Sequence, residues 1–168
     1  MRVAVTGTPG TGKTTAVESL ETDLDAVHLN DVITEEGFVA ERDEQRDSAV
    51  ADLDAVAGYL DGREDVLFES HLAHHFDADR VVVLRCHPEQ LESRLTDRGE
   101  PAEKAEENAE SEALDVVLAE AVERAGEDSV YEIDTTERSP EATAAEIAAV
   151  VAGEREPSAG TVSFIDYL

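Results

Sequence analysis

Lysine, cysteine and long apolar runs are all scarce in this sequence. Only two lysines stand among 13 basic residues, against 41 acidic ones, and the formal net charge is −28. Because a nonspecific DNA- or RNA-binding protein needs a basic face, this charge excludes that class. No run approaches the roughly 18 apolar residues of a membrane span, so we expect no membrane segment. The single cysteine, Cys86, cannot form an internal disulfide, which favours a reducing cytoplasm.

The acidic residues are spread over the whole chain instead of forming one tail. At molar salt the Debye length falls to about 3 Å, so the self-repulsion of such a surface is screened. An ordinary acidic protein is the alternative, but a lysine-poor and uniformly acidic surface favours adaptation to a salt-filled cytoplasm. The composition thus indicates the salt conditions in which the protein works, but not what the protein does.

Apolar runs alternate with stretches of helical spacing along the 168 residues, a length typical of one domain. Several runs are continuous instead of alternating, as expected of parallel strands covered on both faces. The pattern therefore predicts an α/β fold with a five-stranded parallel sheet flanked by helices. The predicted strands are residues 2–6, 26–29, 66–69, 80–85 and 130–134. The predicted helices are residues 14–20, 48–60, 88–98, 109–125 and 140–151.

A phosphate-binding loop follows the first predicted strand. Residues 7–15, GTPGTGKTT, match the pattern G-x-x-x-x-G-K-[ST] and lie between a strand and a helix, as the mechanism requires. The glycines let backbone N–H groups surround the β-phosphate, and the helix N-terminus adds partial positive charge. Lys13 is expected to bridge the β- and γ-phosphates, and the Thr14 hydroxyl to hold Mg²⁺. The sequence thus predicts a site for a nucleoside triphosphate with Mg²⁺.

Two arginines on one helix face indicate a kinase within the P-loop class. A kinase needs a lid that neutralises the transferring phosphoryl group and excludes water. Arg94 and Arg98 are four residues apart, and the sequence Gly-Glu-Pro at 99–101 then ends the helix. Residues 98–108 therefore read as a short lid with Arg98 at its hinge. The alternative for Arg94 is an exposed residue paired with a neighbouring acid.

The motifs together resemble the adenylate kinase isoenzyme 6 family, in its archaeal branch. The resemblance rests on the P-loop, on Glu-Ser-His at 69–71, on VVVLRCHPEQLESRLTDRG at 81–99 and on EALDVVLAEA at 112–121. It covers about residues 1–150 and implies an adenylate-kinase-like fold with nucleoside monophosphate kinase activity. It also implies a slow ATPase activity and a role in small ribosomal subunit maturation through a basic ribosomal protein. The partners expected are thus AMP and a pre-ribosome, with the protein itself a monomer.

The resemblance also implies a set of site residues. The ATP-binding residues carried over are Gly10, Gly12, Lys13, Thr14, Thr15 and Arg98. Lys13, Arg98 and His71 are the expected catalytic residues, and Thr14 and Glu69 the expected Mg²⁺ ligands. His71 is expected to position water or the acceptor phosphate, with an ordinary hydrogen-bonded histidine as the alternative. Residues 30–53 match the monophosphate-binding region, within a kinase domain of residues 1–152 followed by a tail of residues 153–168.

One departure from the family concerns the acceptor phosphate. Relatives that phosphorylate AMP can carry an arginine near residues 32–36, and this chain has none there. Arg42, Arg46 and Arg85 are the nearest candidate cations, and Arg85 is favoured because it ends a strand on the ligand side of the sheet. If none of them binds the acceptor, ATP hydrolysis in an assembly factor becomes the leading function.

Several weaker signals are left as alternatives. The absence of N-K-x-D argues against a small GTPase, and a metabolite kinase would need acceptor residues that we cannot identify. His71, His74 and His75 are spaced like metal ligands, but no carboxylate pattern nearby completes a site, so we expect no metal there. Cys86 is expected to be a small buried residue. The tail is expected either to dock by its four apolar side chains or to stay partly mobile. Those side chains are Phe164, Ile165, Tyr167 and Leu168.

Overall fold

Five parallel strands form the central sheet, in the order β2-β5-β1-β6-β7. A computed structural model of the chain describes residues 1–43 and 48–168, with the side chains of residues 41–49 left undescribed. The strands are β1 (Arg2–Thr6), β2 (Asp25–His28), β5 (Val66–Glu69), β6 (Arg80–Arg85) and β7 (Val130–Asp134). The prediction of an α/β fold with five parallel strands is confirmed, and four strands begin and end where the sequence predicts. The apolar runs locate them well because both faces are covered.

Strand β6 illustrates this coverage. Val81 and Val83 pack into the core on one face of the sheet, whereas Val82 and Leu84 pack on the other. All four side chains are at most 1% exposed. A strand buried on both sides has no reason to alternate apolar and polar residues, so its run is continuous.

Seven α-helices, three short 3₁₀ helices and a β-hairpin complete the regular structure of the described part of the chain. The helices are α1 (Lys13–Glu18), α2 (Leu29–Glu36), α3 (Leu53–Leu60), α4 (Pro88–Asp97), α5 (Ala102–Ala113), α6 (Val116–Ala125) and α7 (Pro140–Val151). Helices α2, α3 and α6 contribute to the core on one face of the sheet, and α1 and α7 to the core on the other. Pro88 and Pro140 occupy the first turns of α4 and α7, as predicted. Among the described residues, no helix combines the length and apolarity of a membrane span.

The predicted helix over residues 48–60 is only partly present. Its first part is strand β4 (Ser48–Ala51), which pairs antiparallel with β3 (Val39–Asp43), and only Leu53–Leu60 is helical. The Asp52 side chain accepts a hydrogen bond from the Ala55 N–H and begins that helix. Helix α2, also unpredicted, lies in the same part of the chain.

A second difference concerns the predicted helix over residues 109–125. The chain instead forms α5 and α6, separated at Asp115, which adopts a left-handed conformation with φ 56°. Since Asp tolerates this conformation better than most residues, the chain turns there without glycine or proline. Helix α5 already begins at Ala102, so most of the predicted lid segment, residues 98–108, is helical.

A small third core lies beneath this corner. It contains Cys86, which is fully buried as predicted, together with Leu91 and Leu95 of α4 and Ala105 and Ala109 of α5. Tyr167 of the tail packs against this core. Phe164 contacts the His87 ring, with 5.5 Å between ring centroids.

The prediction that four apolar side chains dock the tail is only partly right. Ile165 and Leu168 are 58% and 61% exposed. Instead, the tail is attached through polar contacts, in which Thr161 and Val162 donate backbone N–H groups to the Glu132 carboxylate.

Candidate active site

The loop of residues 7–12 joins β1 to α1 and has the backbone shape of a phosphate-binding loop. Gly7 packs so closely that a Cβ there would lie 2.7 Å from both the Leu84 carbonyl oxygen and Thr11 Oγ1. Gly12 precedes α1 in a left-handed conformation, with φ 94°. A side chain at residue 7 would clash with its neighbours, and only glycine adopts the left-handed conformation of residue 12 at low cost. These two requirements explain both glycines of the motif.

Lys13 is folded back onto this loop. Its Nζ donates hydrogen bonds to the carbonyl oxygens of Gly7 (2.9 Å) and Thr8 (3.1 Å). The pKa of the amine is lowered to about 8, chiefly because the group is buried. The charges of Glu69 and Glu112 act to raise this pKa, and that of Arg98 acts to lower it. The loop carbonyls therefore hold the ammonium group at the position where phosphate oxygens would enter.

The two predicted Mg²⁺ ligands lie together at the edge of the sheet. Val5 of β1 pairs with Glu69 of β5, so the end of β5 lies beside the loop that follows β1. The Thr14 hydroxyl donates to Glu69 Oε1 at 3.1 Å, and His28 Nδ1 donates to the same oxygen at 2.9 Å. A hydroxyl and a carboxylate are hard oxygen ligands, which fits Mg²⁺. Binding Mg²⁺ would replace the hydrogen bond between them.

His71 follows directly after β5 and is half-buried. Burial lowers its pKa to about 4, and the positive charges of Lys13 and Lys104 contribute to this decrease. The imidazole is therefore neutral at pH 7 and lies within the field of both lysines. The neighbouring Ser70 hydroxyl donates to Asn30 Oδ1 at 2.8 Å, which connects the end of β5 to α2.

A cleft of about 460 Å³ opens on the other side of the loop. It is bounded by the P-loop, the last turn of α4 and the segment that follows β7. The residues that line it are Gly10, Thr11, Gly12, Thr15, Arg94, Asp97, Arg98, Thr135, Arg138, Pro140 and Thr143. Of the predicted ATP-binding residues, Gly10, Gly12, Thr15 and Arg98 thus lie in one cleft. Its size fits a ligand of nucleotide size.

Arg94 connects two walls of this cleft, a role that its position in the sequence does not indicate. Its guanidinium donates to the carbonyl oxygens of Gly10 (3.2 Å) and Thr135 (3.0 Å), joining the P-loop to the segment after β7. Thr135 Oγ1 also lies 2.9 Å from the Thr11 carbonyl oxygen. Arg138 lines the same cleft and was not singled out from the sequence. Its proximity to a strand end, within Asp-Thr-Thr-Glu-Arg, is the only sequence signal for it.

Arg85 is unsuited to bind an acceptor phosphate, contrary to the expectation from its position at a strand end. Its side chain is fully buried and contacts three carboxylates, those of Glu132 (2.6 Å), Asp115 (2.5 Å) and Glu112 (3.3 Å). The net effect of these charges is to raise the pKa of the guanidinium despite its burial. Of the other two candidates, Arg46 lies outside the described residues, and the side chain of Arg42 is undescribed.

The histidines at 74 and 75 do meet a carboxylate, which corrects the expectation that none completes the group. Glu120 of α6 lies 2.7 Å from His74 Nε2 and 3.9 Å from His75 Nε2. His71 is not part of this cluster.

The sheet order, the P-loop and the adjoining cleft define a nucleotide-binding protein with the architecture of P-loop kinases. Shikimate kinase from Acinetobacter baumannii, solved with shikimate, aligns with a TM-score of 0.64 at 18% identity, covering 92% of this chain and 94% of that one. Shikimate kinase from Bacteroides thetaiotaomicron aligns with a TM-score of 0.59 at 18% identity, covering 90% and 98%. At such identities the likeness concerns the fold alone.

Sequence comparison defines the family. A family model described as AAA domain matches residues 3–115. Proteins named "Putative adenylate kinase" from Natronomonas pharaonis and Halobacterium salinarum are 68% and 62% identical, over the full length of both chains. A protein of the same name from Methanosarcina acetivorans is 43% identical, over 90% of this chain and 86% of the Methanosarcina protein. This chain therefore belongs to the same family of archaeal P-loop proteins.

Proposed function

We propose that this protein is a Mg²⁺-dependent nucleoside monophosphate kinase that transfers the γ-phosphoryl group of ATP to AMP. The observation that carries the proposal is that two different polar regions flank the P-loop. The arginine-lined cleft lies on one side, and the polar ends of β2 and β5 lie on the other. A phosphoryl donor and an acceptor can thus approach the same lysine from two directions. The name of the relatives agrees with this acceptor.

On the donor side, the cleft would hold ATP with its phosphates in the P-loop. Lys13 would leave the carbonyls of Gly7 and Thr8 and contact the β- and γ-phosphates. Thr14 and Glu69 would hold Mg²⁺, which when bound neutralises charge on the phosphate oxygens. Arg98, at the open end of the cleft, would add positive charge to the phosphoryl group in the transition state.

On the acceptor side, the residues at the end of β5 would orient the monophosphate. A phosphate oxygen is already deprotonated at pH 7, so the transfer to AMP needs no general base. A neutral His71 can donate one hydrogen bond to that phosphate, and Lys104 of α5 adds positive potential nearby. We assign the monophosphate-binding region to residues 30–53 and the lid to residues 98–108, within a kinase domain of residues 1–152.

ATP hydrolysis is the second candidate function, and the burial of Arg85 is the observation that favours it. With that arginine held by three carboxylates, the acceptor side lacks its best sequence candidate for a phosphate-binding cation. Water positioned by His71 would then receive the phosphoryl group. A net charge of −28 also suits a basic protein partner, such as one of the small ribosomal subunit, in a cycle of ATP-driven assembly.

The two functions differ in the products that they form. Purified protein in molar KCl with Mg²⁺ would be given ATP alone or ATP with AMP, and ADP and inorganic phosphate would be measured chromatographically. The kinase is expected to form two ADP per ATP consumed, with much faster turnover in the presence of AMP. One ADP and one phosphate per ATP, at a rate indifferent to AMP, would overturn the kinase proposal in favour of hydrolysis.

A further inference from the structure

We propose that His74, His75 and Glu120 form a site for a divalent transition-metal cation of the Zn²⁺ or Co²⁺ type. The three residues are distinct from Thr14 and Glu69, the ligands assigned to Mg²⁺. The two histidines belong to a short 3₁₀ helix, Ala73–His75, which follows β5, and Glu120 projects from α6. Helix α6 packs against this 3₁₀ helix, so the fold itself brings the carboxylate to the imidazoles.

The ligand atoms already lie near the distances that a metal requires. One atom from each of the three side chains falls within 4.8 Å of the others. Zinc bond lengths of about 2.0–2.1 Å place tetrahedral ligand atoms roughly 3.4 Å apart. The distances from Glu120 Oε2, 2.7 Å to His74 Nε2 and 3.9 Å to His75 Nε2, lie on either side of that value. A carboxylate shift of less than an ångström would therefore make room for a cation between the three.

The surroundings of His74 suit a metal ligand. Its other ring nitrogen, Nδ1, lies 2.7 Å from Thr6 Oγ1, and that hydroxyl is 3.5 Å from the His71 carbonyl oxygen. When Nε2 binds the cation, its proton is replaced by one on Nδ1, which then donates to Thr6. The Thr6 hydroxyl can turn to donate to the His71 carbonyl. Such an outer hydrogen bond fixes the ring and the tautomer of a ligating histidine.

His75 is available as a ligand. Its Nε2 lies 3.9 Å from Glu120 Oε2, and its Nδ1, buried without a hydrogen-bond partner among the described residues, would carry the ring proton when Nε2 coordinates. Burial lowers the pKa values of His74 and His75, which favours the neutral imidazole that a metal requires. A cavity of about 170 Å³ beside both rings leaves space for water as a further ligand.

The chemistry of the ligand set selects the class of metal. Two imidazole nitrogens and one carboxylate suit Zn²⁺ and Co²⁺, whereas Mg²⁺ prefers oxygen ligands. Arg124, which lies near both histidines and lines the cavity, opposes a cation there. The two imidazoles and the carboxylate must bind the cation despite this repulsion. Removing the charge of Arg124 therefore provides a second test of the site.

The test is a Co²⁺ titration of the full-length protein in molar KCl with excess Mg²⁺, which occupies the oxygen-rich site. Coordination by nitrogen and oxygen in a low-symmetry site is expected to produce visible d–d bands that saturate at one equivalent and disappear when Zn²⁺ is added. Glu120→Gln and His75→Gln are each expected to weaken Co²⁺ binding at least about tenfold. Arg124→Gln should strengthen it, since the repulsive charge is removed.

Glu123→Gln is the matched control, because it removes the same charge from an exposed position on the same helix. Its Co²⁺ affinity should stay within about twofold of the original protein, and circular dichroism should show that all variants are folded. Equal titration curves for Glu120→Gln and Glu123→Gln, or the absence of d–d bands in the original protein, would overturn the proposal.

Discussion

The donor and acceptor sides of the P-loop are built differently. On the donor side, Arg94 and Thr135 connect the P-loop to the segment after β7 by direct hydrogen bonds. On the acceptor side, Thr14 and His28 donate to Glu69, whose carboxylate Mg²⁺ binding would engage, and the Ser70 hydroxyl donates to the exposed Asn30 of α2. The contrast indicates that the donor side is preorganised, whereas binding of the acceptor must complete its own side. Substitutions on the donor side and on the acceptor side can test this difference.

Lys13→Ala is expected to have the largest effect. The amine donates hydrogen bonds to two P-loop carbonyls, and a group that neutralises phosphoryl charge contributes on the order of 10³–10⁵-fold to kcat. Both AMP phosphorylation and ATP hydrolysis should therefore fall by that order, measured as ADP formation under saturating ATP. Turnover near that of the original protein would disprove the assignment of this loop as the site of phosphoryl transfer.

Arg85→Met is expected to act on stability. It leaves the buried carboxylates of Glu112 and Glu132 without their cation, and breaking a buried ion pair in this way costs about 3–5 kcal/mol. Urea unfolding in molar KCl would measure the loss of free energy of unfolding. Arg80→Met is a suitable control, because Arg80 contacts only backbone carbonyls of α7 in the described structure and should lose less.

A second measurement on the same variant concerns catalysis. If Arg85 bound the acceptor phosphate, the KM for AMP would rise in the folded fraction of Arg85→Met far more than the KM for ATP. We expect no such selective increase, since the guanidinium is enclosed by carboxylates from α5, from Asp115 at the α5–α6 junction and from β7.

The sequence predicts the donor side far better than the acceptor side, for a physical reason. The P-loop is contiguous, and the buried strands β1, β6 and β7 consist mainly of apolar residues, so local patterns locate them. Helix α2 is mostly exposed, as are Val39 and Val50 of the hairpin β3–β4, and this charge-rich part of the sequence carries no comparable signal. Arg85 was expected to bind phosphate because its three carboxylate partners, 27, 30 and 47 residues away along the chain, cannot be recognised from the local sequence. Glu120, the carboxylate that contacts His74, lies 46 residues further along the chain, so local sequence did not indicate it either.

Arg98→Ala is expected to lower kcat for transfer by about tenfold to a hundredfold, less than Lys13→Ala. The residue is exposed and lines the cleft, so solvent and salt partly screen its charge. The free energy of unfolding should change little, in contrast to Arg85→Met. Arg124→Ala removes an exposed arginine that does not line the cleft and serves as the control, with kcat within about twofold.

Asn30→Ala tests the acceptor side with a smaller change. Loss of its hydrogen bond to Ser70, worth about 1 kcal/mol, should raise the KM for AMP about threefold to tenfold. The KM for ATP should change less, because Asn30 does not line the donor cleft. Steady-state kinetics with each nucleotide varied in turn would measure both values. Equal increases would show that the two sides are not separate.

The smallest expected signal is the reaction of Cys86 with a thiol reagent, which reports on how firmly the donor side is packed. Burial raises the pKa of this thiol to about 11, so at pH 8 only about one part in a thousand is thiolate, and its side chain is fully enclosed. Labelling should therefore proceed through transient opening, in which the pKa returns to about 8.5, and the rate should level off above pH 9. A rate that keeps rising tenfold per pH unit up to pH 11 would instead indicate attack on the closed protein. Because the Cys86 N–H donates to Glu112, a partner of Arg85, the Arg85→Met variant should label faster at every pH.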